Sequence, residues 1–218
     1  MIDFHTHSLI SDGELLPSEL VQRARVKGYR ALAITDHADE SNIEIALGQL
    51  IRVSKQLSRS GGVRVIPGVE LTHIPVADIA RMVKKARSLG AAVVIGHGQT
   101  LCEPVAPGTN EAFIKARVDV LAHPGLVTDA ACAHAAKNSV YFEITARASH
   151  GISNGHVASM SKRHGVKMLL NTDSHSPGDL INIETALKIA LGAGLDRTDF
   201  RKIENNAKEL LKKTSSLS

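Results

Sequence analysis

Tryptophan is absent from this chain of 218 residues, and aromatic side chains make up only 3% of it. A surface that stacks single-stranded bases needs more aromatic area than that. Cysteine is nearly missing too. Cys102 and Cys132 are the only two, too few for a disulfide framework or a Cys-rich zinc module, and in keeping with a reducing, cytoplasmic compartment. The opening residues lack a basic stretch followed by an apolar run, so no signal peptide is expected. No apolar stretch approaches the ~20 residues that span a bilayer, so no membrane partner is expected. Neither a Gly-x-Gly-x-x-Gly after a strand nor a Walker loop is present. The net charge of +4 favours anionic substrates mildly and supplies no basic run for a long nucleic acid.

What the chain has is histidine, 11 residues of it, and a regular alternation of apolar runs with helix-like segments. Strands are expected at about 2–7, 31–37, 64–71, 91–97, 118–123, 140–146 and 167–173. Helical periodicity covers Pro17–Lys27, Asn42–Ser58, Val76–Ser88, Asp129–Lys137 and Gly155–His164, with two more helices near 178–191 and 199–213. Pro17 and Pro75 sit where helices begin, and Gly28, Gly90 and Gly165 where they end. Thr198 and Asp199 are candidate caps for the last helix, and 214–218 reads as a frayed tail. Residues 1–218 read as one domain of a length common for a barrel. Alternating strands and helices imply a parallel sheet, open or closed. Because nearly every strand ends in a polar residue of ligand type, a closed α/β barrel with function at its C-terminal rim is favoured.

The strand ends carry the chemistry. In an extended segment, side chains at i and i+2 share a face, so His5 and His7 can offer two imidazoles to one metal ion. Asp173 and His175 repeat that spacing near the other end. Between them, Asp12, His37, Glu70, His97 and His123 lie at or just beyond strand ends, which makes nine candidate ligands. A lone histidine at a strand end is more often a hydrogen-bonded structural residue than a ligand. Six of the 11 histidines on one rim of a parallel structure go beyond that explanation. His73, His134, His156 and His164 lack the pattern and are expected at the surface, with His150 a candidate exception.

A hydrolytic ion takes about four protein ligands or fewer, so nine candidates imply two to three divalent ions. Mixed imidazole and carboxylate suits zinc, manganese or iron, and Glu70 has two oxygens with which to bridge a pair. Clustered ions acidify water and neutralise charge on a phosphoryl group. On the sixth strand Glu143, Thr145 and Arg147 share a face. Arg147 would reach the rim, where a guanidinium can hold phosphate, or would pair with Glu143 below it. His150 and Asn154, in the polar loop that follows, are candidate substrate contacts. The loop Gly98–Glu111 is long for a strand-to-helix connection, carries Glu103, Thr109 and Asn110, and would cover the same rim.

His5-Thr6-His7-Ser8 with Ser11-Asp12-Gly13, then Thr35-Asp36-His37, Gly68-Val69-Glu70, His97, Ala122-His123-Pro124 and Asp173-Ser174-His175, resemble the PHP (polymerase and histidinol phosphatase) family over essentially the whole chain. The compact stand-alone members labelled histidinol-phosphatase-like are the nearest in kind. The resemblance implies a distorted seven-stranded (β/α)7 barrel. It implies one ion on His5, His7, Glu70 and Asp173, a second on Glu70, His97 and His123, and a third on Asp12, His37 and His175. Some relatives place His at the position of Asp12, and the carboxylate somewhat favours manganese or iron there. The expected activity is a metal-dependent phosphoesterase. It would hydrolyse a small phosphomonoester by metal-activated hydroxide, with Arg147 and Glu70 as catalytic residues and histidinol phosphate one named candidate. Nuclease or phosphodiesterase action on nucleotides or oligonucleotide ends is the alternative, so a nucleic-acid partner stays open without being favoured. Amidohydrolase-type C–N hydrolysis and a non-catalytic metal-binding module rank behind these. The sequence sets no oligomeric state.

Overall fold

The structure is a computed structural model that describes residues 1–60 and 62–214. Its strands are β1 (Ile2–Asp3), β2 (Ala31–Ile34), β3 (His37–Ala38), β4 (Arg64–Leu71), β5 (Val93–His97), β6 (Val120–Ala122), β7 (Tyr141–Thr145) and β8 (Met168–Asn171). All pair in parallel, in the order β1-β2-β4-β5-β6-β7-β8, with β3 also on β4. β2 and β3 are two halves of one stave, so seven parallel staves form a nearly closed barrel. Among the described residues eight α-helices surround it: α1 (Pro17–Val26), α2 (Ile43–Ser60), α3 (Ile79–Ser88), α4 (Thr109–Ala116), α5 (Asp129–Asn138), α6 (Asn154–His164), α7 (Ile183–Gly192) and α8 (Arg197–Lys213).

The expected second strand, 31–37, is interrupted at Thr35-Asp36 for a physical reason. The Asp36 carboxylate turns aside to accept hydrogen bonds from the backbone and hydroxyl of both Ser8 and Ser11. That clamps the loop after β1 against the barrel. The expected strand 2–7 keeps a regular ladder only at Ile2 and Asp3. Its seam with the last stave is made instead of single bonds. Asp173 N–H donates to His5 O, His7 N–H to Ser174 O, and Phe4 N–H to the Asn171 side chain.

The period of two along each strand builds the site. Ile66, Val93, Ile95, Val120, Tyr141 and Leu169 are buried in one apolar cluster together with Ala207 and Leu210 of α8. Two residues at a time along the same face, Val93 and Ile95 lead to His97, Ile66 and Gly68 to Glu70, and Leu169 and Asn171 to Asp173. Intervening residues such as Val94, Leu121 and Ile144 join a second cluster with the helices. An apolar interior layer thus sits directly beneath a polar rim.

Four expectations need correction. Residues 98–111 are not all loop: α4 begins at Thr109, on a short amphipathic stretch whose Phe113 and Ile114 are fully buried. The helix expected from 178 begins at Ile183, where the Asn182 side chain accepts from Thr185 N–H. The last helix is capped by Asp196, and Asp199 is the reciprocal partner three residues on. Thr214 is not frayed; it is buried and its N–H bonds Leu210 O, while 215–218 lie outside the described residues. Gly28, Gly90 and Gly165 do follow helix ends with positive φ. Among the described residues no helix is long and apolar enough to cross a membrane.

Candidate metal centre

All nine strand-end candidates converge on one rim. His5 Nε2 lies 3.3 Å from Glu70 Oε2 and 3.5 Å from Asp173 Oδ1. His7 Nε2 lies 3.2 Å from Asp173 Oδ1 and 3.5 Å from Glu70 Oε2. On the far side of Glu70, Oε1 is 3.4 Å from His123 Nε2. Asp12 Oδ2 stands 3.3 Å from His175 Nε2 and 3.6 Å from His37 Nε2. Donor atoms fall within 4.8 Å of one another in the sets His5-His7-Glu70, Glu70-His97-His123, His7-Asp12-His37-His175 and His5-His123-Asp173. His7 therefore stands between two groups, and Glu70 is at the centre.

The donor set fits cations. Seven buried atoms here have no hydrogen-bond partner among the described residues: His5 Nε2, both nitrogens of His7, both oxygens of Glu70, and Nδ1 of His97 and His123. A buried polar atom left unmade costs about 1–3 kcal/mol, so a fold that gathers seven is arranged for a ligand. His37 Nδ1 is 2.9 Å from Glu70 Oε2, yet its hydrogen bond goes to Thr72 Oγ1 at 2.6 Å. Burial, followed by the nearby His37 ring, holds His7 well below its usual pKa, so it is a neutral donor. Burial alone would lower His5 as well, but Glu143, Glu70 and Asp173 outweigh it and raise it well above the usual value.

Supporting residues fix the geometry. Glu143, fully buried, receives His5 Nδ1 at 2.8 Å and the Asn171 amide at 2.9 Å. A proton held on Nδ1 leaves the Nε2 lone pair facing the cluster. His175 Nδ1 can do the same toward Asp173 O at 3.0 Å. His123 and Asp173 occupy left-handed backbone, with φ of 28° and 51°, which is rare for residues with a Cβ and typical of sites that the surrounding fold over-determines. Gly13, in the Ser-Asp-Gly turn, is needed because a Cβ there would stand 2.6 Å from the His7 carbonyl carbon and oxygen.

Arg147 reaches the rim as expected, but it does not pair with Glu143. Its Nη1 donates to Asp173 O at 3.2 Å and lies 2.8 Å from His175 Nδ1 and 3.8 Å from Asp179. Glu143 is instead spent on His5. His150 joins the site: it is 4% exposed, stacks on His123 with ring centroids 4.3 Å apart, and bonds Thr100 Oγ1 at 2.7 Å. Asn154, the other candidate substrate contact, is buried and bonded to the backbone. Its carboxamide oxygen accepts from Thr145 N–H and its nitrogen donates to Thr145 O, so both ends are consumed closing the turn after β7. Of the four histidines expected at the surface, His73 and His134 are exposed. His156 and His164 are half-buried, the first against Val127 O and the second against Asp129.

Sequence spacing gave no role to Glu103. From the loop after β5 it stands 3.0 Å from His97 Nε2, 3.5 Å from His150 and 3.6 Å from His73. The hydrogen bond from His97 holds its carboxyl down to about 2. Its only sequence signal is the length of the loop that carries it.

Comparison with known proteins agrees with this geometry. A family model described as the PHP domain matches residues 3–214. Uncharacterized protein MJ1295 of Methanocaldococcus jannaschii is 48% identical over 217 residues, spanning 97% of this chain and 98% of that protein. The 5'-3' exoribonuclease Rnm of Salmonella typhimurium is 40% identical over 73 residues, which cover 33% of this chain and 22% of that enzyme. A chain of archaeal ribonuclease P, solved with mature tRNA, superposes with a TM-score of 0.74 at 15% identity over 98% of this chain and 92% of that one. Histidinol phosphate phosphatase from Lactococcus lactis, solved with zinc, L-histidinol and phosphate, superposes with a TM-score of 0.57 at 17% identity over 96% and 93%. At such identities the two superpositions establish the fold alone. The match along nearly the whole sequence shows that this chain belongs to the PHP domain family, a family of metal-dependent hydrolases.

Proposed function

We propose that the protein is a metal-dependent phosphoesterase that hydrolyses the phosphomonoester of a small molecule. The observation that carries this reading is the set of seven unpartnered buried donor atoms beside a half-exposed guanidinium, that of Arg147. His5, His7, Glu70 and Asp173 would hold one ion, Glu70, His97 and His123 a second, and Asp12, His37 and His175 a third, with zinc, manganese or iron suited to those donors. Ions held there supply Lewis acidity, acidifying water and offsetting charge on a phosphoryl group.

The chain's own residues do the rest. Arg147 points a fixed positive charge at the rim from the loop after β7 and orients a phosphate by paired N–H donors. With the His175 proton on Nδ1 and directed at Asp173 O, the Arg147–His175 contact opens and the guanidinium is released to an anion. Glu70, at the centre of the cluster, holds two groups of donors in register. Glu143 locks the His5 ring, and His150 shields the His123 face from solvent.

The similarity to a 5'-3' exoribonuclease over 73 residues keeps a nucleotide diester as the second reading. Hydrolysis of a chromogenic phosphomonoester and of its matching diester, with manganese or zinc supplied, separates the two. Faster turnover of the monoester is expected, and a strong preference for the diester would reverse the order.

A further inference from the structure

The seven strand-to-helix connections that build the rim contain nine Asp or Glu and a single Lys or Arg, Arg147, in a chain with 26 basic residues in all. Of the nine, Asp12 and Asp173 belong to the donor cluster with Glu70 of β4, Glu103 stands beside His97 and His73 at its edge, and Asp179 lies 3.8 Å from Arg147. Two basic residues of α3 are already committed to an acid of the rim. Arg81 and Lys85 of α3 each lie 2.6 Å from Glu40.

The rim also exposes apolar side chains at one sector. Leu101, Leu126 and Ile152 are 52%, 62% and 66% exposed, and they come from three connections that abut. Thr100 bonds His150, Cys102 Sγ bonds Ser149 O, and a Cβ at Gly125 would strike Gln99 O. Leu101, Leu126 and Ile152 thus lie within two residues of the contacts that join these connections beside His150, which stacks on His123.

Protein affinity for polynucleotides comes largely from Lys and Arg against successive phosphates. A second phosphate near this centre meets carboxylates instead. Apolar surface beside a reacting centre is the complement of an apolar leaving group. Resting on the phosphoesterase reading above, we infer that the substrate carries one anionic group, the reacting phosphate, and an apolar organic part that lies over Leu101, Leu126 and Ile152. Polyanionic esters and polynucleotides are turned away by the carboxylates of the rim.

The test uses the full chain loaded with manganese. A nucleoside 5'-monophosphate and its 3',5'-bisphosphate share the reacting 5'-phosphate ester, and the leaving alcohol of the second carries one further phosphate. The bisphosphate should show kcat/KM about ten-fold lower, through KM. For 2-phenylethyl phosphate against ethyl phosphate, kcat/KM should be about ten-fold higher, the worth of partly burying one ring. Leu126→Lys, at an exposed position, should shrink the first ratio several-fold, and Leu126→Ala should lower the second, chiefly through KM. Fluorescence anisotropy of a labelled 5'-phosphorylated single strand at physiological salt should show no saturable binding. Preference for the bisphosphate, tight salt-sensitive binding of the strand, or ratios that Leu126→Lys leaves unmoved would each overturn this inference while the phosphoesterase reading stands. Turnover of none of these esters overturns both.

Discussion

The two ends of the barrel obey opposite rules. At the C-terminal rim, seven polar atoms of the donor cluster are buried and left without partners. At the other end, α8 packs Ala207 and Leu210 against the inner layer. There Arg64 donates to Leu211 O and Thr214 Oγ1. Charge follows the same division. The helix-to-strand connections carry four Lys or Arg and one Asp, against one basic and nine acidic residues on the rim. One end is organised for a ligand and the other for stability, the division expected of a barrel whose chemistry lies beyond its strand ends.

Substitutions should therefore separate activity from stability according to the end they touch. The largest effect is expected for Asp173→Ala, which removes a carboxylate from the centre of the rim. Turnover should fall at least about 10^3-fold, the scale seen when a principal source of transition-state charge stabilisation is lost. The metal-free protein should unfold at nearly the same denaturant midpoint, measured by circular dichroism. A large loss of stability would break the comparison. At the opposite end, Leu210→Ala should cost about 2–5 kcal/mol by leaving a cavity beneath the inner layer, while kcat of the folded fraction stays unchanged. Urea titration and steady-state kinetics measure the two together. Glu143→Gln sharpens the contrast, because it acts on the rim from below. Metal affinity and activity should drop about 10–100-fold, as for other partners that orient a ligating histidine, and titration with manganese would register it. Asp196→Ala should cost about 0.5–2 kcal/mol of stability through the lost cap of α8, with no change in turnover.

The legible part of the molecule was the part governed by short-range periodicity. Val93-Ile95-His97 and Ile66-Gly68-Glu70 announce an apolar face ending in a donor, and that pattern repeated around the sheet gives a barrel with a polar rim. Arg147 shows where periodicity stops being a guide. It shares a period-two face with Glu143 in the sequence, but it lies beyond the end of β7, where the chain turns and carries it to Asp173 and Asp179. The left-handed turns at His123 and Asp173 had no local signal either, since neither is glycine and only the assembled barrel enforces them. Asn154 read as a polar loop residue, whereas its amide is what a backbone turn consumes. α4 is too short for periodicity to outweigh the proline- and glycine-containing loop before it.

The seam between the first and last staves, closed by single bonds rather than a ladder, bears on how the site is assembled. Asp3 and Thr172, joined across it, are 169 residues apart in sequence. His5 and His7 precede the other ligand candidates in the chain, and Asp173 and His175 follow them all. Asp173 reaches His5 and His7 only across this seam, so the donor set that includes it is complete only when the ring is closed. An ion bridging the seam would then act as a reversible cross-link over a very long loop, where closing the chain removes the most conformational freedom from the unfolded state.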